Sequence, residues 1–208
     1  MLSRRCRFVD FALSKRMLSA VVLALSYCAA AFAQPQELQL QFDPAKTTIA
    51  FTLGDILHTV HGSFQLKQGD VRYHIGTRSI DGTLVVDATS GQSGNHSRDH
   101  KMHKEILESS RYPTIIFRPD KVEGAVAPSG ASTVQVHGTF SIHGTDHELT
   151  MPVRVEVFPD RWVIDTHFTV PYVKWGIKNP STFVLRVSES VEIDVHATGT
   201  NPTAGAAH

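Results

Sequence analysis

From Glu37 almost to the end of the chain, apolar and polar side chains take turns, and this period of two limits the possible folds more than any other property of the sequence. Side chains two apart share one face of a strand, so each alternating segment predicts a strand with one greasy side. Leu38, Leu40 and Phe42 alternate with Glu37, Gln39 and Gln41, and Ile49, Phe51 and Leu53 repeat the pattern beyond the Asp43-Pro44 turn. Residues 54–58 interrupt it, predicting a short helical turn that carries Ile56 and Leu57 inward; Val60, Gly62, Phe64 and Leu66 then resume it. Gly69-Asp70 predicts a turn, followed by extended pieces over residues 71–75 and 80–88. Residues 114–117 and 120–126 read as two strands. Val134, Val136, Phe140 and Ile142 share a face of a long hairpin, reversed over residues 143–147, whose second arm carries Leu149, Met151, Val153, Val155 and Val157. Trp162, Ile164, Thr166, Phe168 and Val170 form another such face, and a last strand is predicted over about residues 183–197.

One segment breaks the rule. In residues 95–110, with Asn95 or Ser97 as N-cap, Met102 and Ile106 fall four apart on one face, while Lys101/Glu105 and Lys104/Glu108 make i,i+4 pairs on the outer side. Pro113 ends the helix and turns the chain into the following strand. About eight antiparallel strands with one apolar face each must hide those faces together. The economical solution is an all-β, extended, lipocalin-like antiparallel barrel with one amphipathic helix over its open end, which also removes sheet edges. A two-sheet sandwich satisfies the same alternation. A barrel of this size is wide enough to be filled by side chains or to hold one slender ligand, and patterning does not separate the two.

The first 33 residues have the form of a cleaved export signal: a basic front (Arg4, Arg5, Arg7, Lys15, Arg16), a short apolar segment over 17–25, and Ala31-Phe32-Ala33 before Gln34. The apolar segment is too short for a membrane span, and bulky Tyr27 before Cys28 argues against a lipid anchor, so a periplasmic or secreted protein without a transmembrane anchor is expected. Both cysteines, Cys6 and Cys28, leave with that segment, which excludes disulfides and thiolate chemistry from the mature chain. Setting aside its five basic residues and Asp10 from totals of 20 each leaves 15 basic against 19 acidic residues, a net charge of −4. No basic run interleaved with aromatics remains, so nucleic acid is not an expected partner. The expected organisation is a signal peptide over 1–33, one barrel domain over 34–199 and a disordered tail over 200–208.

Four stretches together resemble the YceI-like family of exported polyisoprenoid-binding proteins: FTLGDILHTVHGSF at 51–64, DGTLVVDATS with GNHSRDHKMHKEIL and RYPTIIF, HGTFSIHGTDHELTMPV at 137–153, and VKWGIKNPSTF at 173–183. The resemblance spans about residues 36–199. It implies a lipocalin-like barrel enclosing a tunnel for a long amphiphile such as an isoprenoid quinone, a polyprenyl chain or a fatty-acyl compound, periplasmic export, and members that often dimerise. It offers no catalytic motif and no cofactor beyond the bound isoprenoid or acyl lipid. Apolar inward positions correspond to its ligand contacts: Phe51, Leu53, Ile56, Leu57, Val60 and Phe64 in the first stretch, and Met102 and Ile106 in the helix. Phe117, Phe140, Phe168 and Trp175 are further candidates for the tunnel wall, or for side chains that plug it.

Two other chemistries are open to these residues. His96, His100 and His103 fall on one helical face with Asp99 adjacent, spacing that suits a zinc or copper ion, so a histidine-rich metal-binding or stress-response module on the same barrel is the rival expectation. Ser97, Asp99 and His100 are too local to form a hydrolytic triad, and no glycine-flanked strained serine is present, so an enzyme is not expected. Asp165, Glu192 and Asp194 point outward by their alternation.

Overall fold

The alternating segments close into a ring. A computed structural model describes residues 37–54, 59–182 and 186–200. Its strands are β1 (Glu37–Phe42), β2 (Thr48–Gly54), β3 (Thr59–His74), β4 (Ser79–Gln92), β5 (Thr114–Glu123), β6 (Gly130–Ile142), β7 (Thr145–Val157), β8 (Trp162–Val170) and β9 (Val191–Thr200). They lie in the order β1-β3-β2-β9-β8-β7-β6-β5-β4, with β3 also paired to β4, and every pairing is antiparallel. The closing β3–β4 ladder makes this a barrel and excludes the sandwich. At 16 residues β3 takes two partners in succession, β2 beside its first half and β1 beside its second. The tip of β1 also reaches β9, at Gln41↔Thr200 and Phe42↔Gly199, so β1 and β2 share one station and the ring has eight.

Several boundaries differ from the sequence expectation, each for a local reason. Gly69-Asp70 is not a turn; β3 runs through it. Its inward parity changes from Phe64 and Leu66 to Val71 and Tyr73 at the irregularity between Leu66 and Gln68, where β3 has one residue more than β4 and every later side chain is flipped to the other face. The two strands expected at 114–117 and 120–126 are one strand, β5, broken in register between Pro119 and Lys121, where proline has no amide to give the ladder. β4 extends past Ala88 to Gln92, and β9 starts at Val191 rather than near residue 183. The long hairpin is as expected, but its turn is only His143-Gly144, with φ of 52° and 76°. That pair of positive φ values suits a two-residue hairpin loop. A side chain on Gly144 would stand 2.5 Å from the Tyr112 ring.

The helical segment is shorter and less regular than expected. Asn95 is the N-cap, its side chain accepting the Arg98 amide at 3.1 Å, and α1 (His96–Lys101) passes into a π-helical turn over Met102–Ile106, where the Leu107 amide reaches the Met102 carbonyl at 2.8 Å. The wider turn carries side chains past the i+4 alignment. Glu105 therefore bonds Lys178 at 3.2 Å instead of Lys101, and Glu108 lies 3.9 Å from both Arg111 and His143 instead of on Lys104.

Candidate ligand channel

The inward side chains do not fill the ring completely. They surround a cavity of about 710 Å³, within the roughly 300–1,000 Å³ typical of small-molecule sites. β6 and β7, which supply part of its wall, run 13 residues each, about 43 Å of strand at ~3.3 Å per residue. Phe51, Leu53, Val60 and Phe64 line it from β2 and β3, Phe117 from β5, Phe140 from β6 and Phe168 from β8. Met102 and Ile106 line it from the π-helical turn. The Phe51 and Phe64 rings lie 5.4 Å apart, and Phe140 meets Phe168 edge-on at 6.3 Å.

Trp175 does not line the cavity. Its indole stacks flat on the His147 imidazole, with centroids 4.3 Å apart and planes 3° apart, and touches Phe140 from behind at 5.6 Å. It belongs to the packing around Ile142, Val170, Tyr172 and Ile177. Ile56 and Leu57 lie outside the described residues. Val134, Val136, Met151, Val153 and Val155 also reach the cavity wall; they sit on the apolar faces that the alternation identifies, but nothing in the sequence ranks them above their neighbours.

His96, His100 and His103 do not converge on a point. His103 is committed to the fold: Nε2 donates to the Gly91 carbonyl at 2.8 Å, and in the neutral ring Nδ1 accepts from the Ser109 hydroxyl at 2.9 Å. The clamp ties the π-helical turn to the end of β4, and Ser109 is only 3% exposed. Ser109→Ala leaves a half-buried ring nitrogen without its partner and is expected to cost about 1–3 kcal/mol. Urea unfolding would check it, with His96→Ala and His100→Ala expected within ~0.5 kcal/mol of the parent as exposed positions. Ser97, Asp99 and His100 form no triad either. Asp99 accepts from the Ser93 amide at 2.9 Å and from the Ser93 hydroxyl.

Among the described residues, one group of three side chains offers ligand atoms close enough for a shared metal ion: Asp120, His137 and Glu148, on the outer face. The imidazole already bonds both acids there, through Nδ1 to Asp120 at 2.7 Å and Nε2 toward Glu148 at 3.1 Å. Similar pairs recur around the barrel. His167 lies between Asp194 (2.8 Å) and Glu192 (3.3 Å), His196 bonds Asp165 (2.7 Å), and His74 bonds Asp81 (2.8 Å). Asp165, Glu192 and Asp194 are thus outward, as expected, and occupied by imidazoles.

Hydrogen bonding to Asp120 and to Asp194 holds His137 and His167 above the ordinary histidine range. A raised folded value means that the stabilisation is complete below the unfolded value of about 6.5 and disappears as pH rises through the folded value. At the acid end the Asp81 carboxyl is held below its usual range by His74 and Arg72, so its contribution is present above about 3.9 and lost on further acidification. The melting temperature should therefore be higher near pH 5.5 than near pH 8, by a modest margin because these groups are solvated. Scans of the His137→Gln/His167→Gln variant should show that difference reduced; an unchanged difference would mean these pairs contribute nothing.

A family model described as the YceI-like domain matches residues 40–199. Among solved structures, BcnA of Burkholderia cenocepacia superposes with a TM-score of 0.64 at 17% identity, covering 76% of this chain and 99% of that one. A polyisoprenoid binding domain from Saccharophagus degradans, implicated in plant cell wall breakdown, gives 0.61 at 14% identity, with 79% and 99% covered. The YCEI protein of Campylobacter jejuni gives 0.56 at 12%, with 70% and 86% covered. No curated protein matches. At these identities the three structures are alike in fold. No helix among the described residues is long and apolar enough to cross a membrane.

Proposed function

Because the chain belongs to the YceI-like domain family and its barrel is hollow, we propose that it is an exported binding protein that sequesters or carries a long-chain amphiphile, an isoprenoid or fatty-acyl compound, without transforming it. The observation that carries this is the cavity itself, walled by apolar side chains from every strand of the ring. A tail burying about fifteen methylene equivalents at roughly 0.8 kcal/mol each gains on the order of 12 kcal/mol. That is comparable with the ~4–15 kcal/mol cost of association, so long chains bind and short ones do not. The Saccharophagus relative, called a polyisoprenoid binding domain, supports the same class of ligand. The basic and apolar pattern of residues 1–33 supports a periplasmic or secreted location.

Organic extraction of the purified protein followed by mass spectrometry tests the proposal. A long-chain lipid at near-stoichiometric amount is the expected result. A metal found by elemental analysis with no lipid in the extract would favour a histidine-based metal module instead.

A further inference from the structure

Among the described residues, the charged part of the channel wall is confined to one place. Among the described residues no Asp, Glu or His lines it, and the polar side chains from residues 93–101 gather where the end of β4 meets α1: Ser93, Asn95, Ser97, Arg98 and Lys101. Elsewhere on the wall, the Thr47 and Thr166 hydroxyls donate to the carbonyls of Asp43 and Pro152, and the Tyr172 hydroxyl donates to that of Ser188, so these groups are satisfied within the fold. Among the described residues the only charges on the channel wall are therefore two cations, three residues apart on one face of α1.

Among the described residues, neither cation bonds an acid directly. Arg98 donates through Nε to the Ser93 hydroxyl at 2.7 Å and through Nη2 to the Ser93 carbonyl at 2.9 Å, which sets the plane of the guanidinium and leaves Nη1 outside both bonds. The Lys101 ammonium, half-buried, reaches a neutral acceptor, the Pro180 carbonyl, at 3.4 Å. The nearby acids are turned elsewhere. Asp99 takes the Ser93 amide and hydroxyl, and Glu105 takes Lys178. Arg98 is exposed and Lys101 half-buried, so the two cations stand at the mouth of the apolar channel, where their charge favours an anionic head over a neutral polar one.

Resting on the binding function proposed above, we infer that the amphiphile bears an acidic head, a carboxylate or a phosphate, which sits between Arg98 and Lys101 with its aliphatic tail running into the barrel. Trp162 lines the channel and reports occupancy by its fluorescence. The test titrates delipidated full-length protein with oleic acid against oleyl alcohol, and with a polyprenyl monophosphate against the matching polyprenol, at a pH where the acids are ionised. At least one acidic probe should bind about tenfold or more tightly than its neutral partner. Which acid shows the preference distinguishes a fatty acid from a prenyl phosphate. In Arg98→Gln/Lys101→Gln the acid should fall to the affinity of the neutral probe while the neutral probe is unchanged. Equal affinities in the parent, or a preference that survives in the double variant, overturn the acidic head and leave the carrier function standing. Failure of all four probes to bind overturns both.

Discussion

Exchanging Phe64 for Trp, or Ile106 for Trp, is expected to empty the channel while the barrel stays folded. Phe64 and Ile106 border the cavity from β3 and from the π-helical turn. The Phe64 ring has Phe51 on one side, and across it Gly91 leaves no spare room: a Cβ there would lie 2.5 Å from Phe64 Cε1. A larger indole therefore has its room on the cavity side, where it displaces empty space rather than a filled core and so incurs less than the ~1–3 kcal/mol overpacking penalty. The volume it takes is the volume a tail needs. Extracted lipid should drop about tenfold or more, equivalent to roughly 1.4 kcal/mol or more of lost affinity, with little change in melting temperature. Lipid content equal to that of the parent would show that neither position borders the tail.

Gly62→Val should instead break the fold. A Cβ at this position of β3 would stand 2.3 Å from Phe51 Cζ and 2.4 Å from the Gln92 carbonyl oxygen, one contact on a side chain and the other on the backbone of β4. The ring can yield; the carbonyl can do so only by moving β4. Overpacking of this kind costs about 1–3 kcal/mol and occasionally more. For a domain of this size, with ~2–4 °C per kcal/mol, the melting temperature should fall roughly 5–10 °C. Adding Phe51→Leu should recover part of the loss, because it relieves the ring contact and not the backbone one. A parent-like melting temperature would show that β4 and Phe51 do not approach Gly62 this closely.

Most of the architecture was legible because alternation is a direct record of which way each side chain points. The face Trp162, Ile164, Thr166, Phe168, Val170 lines the cavity in full, and the β6–β7 hairpin has the expected arms. The failures fall where the period slips by one. At Leu66–Gln68 in β3 and at Pro119 in β5 an inserted residue changes parity, and from the sequence a bulge next to Gly-Asp or Pro-Asp cannot be told from a turn. Met102 and Ile106, four apart on the helical face, both line the cavity, yet the π-helical turn that carries them, and so the fate of Glu105 and Glu108, depends on what the helix packs against. His103 shows the same thing. Its spacing suggested a metal ligand, and its position made it a clamp between Gly91 and Ser109. A large apolar residue such as Trp175 suits a core beside the channel as well as the channel itself, and sequence does not separate the two.

The pairing of β1 with β9 has a consequence for how the protein is made. The first and last strands of the barrel are neighbours, so the circle stays open until nearly the whole domain has left the ribosome, and its final seam joins residues far apart in sequence. Such distant contacts form late and slowly. A nascent chain of this design holds an incomplete sheet through its synthesis and acquires an inside only after its last strand arrives.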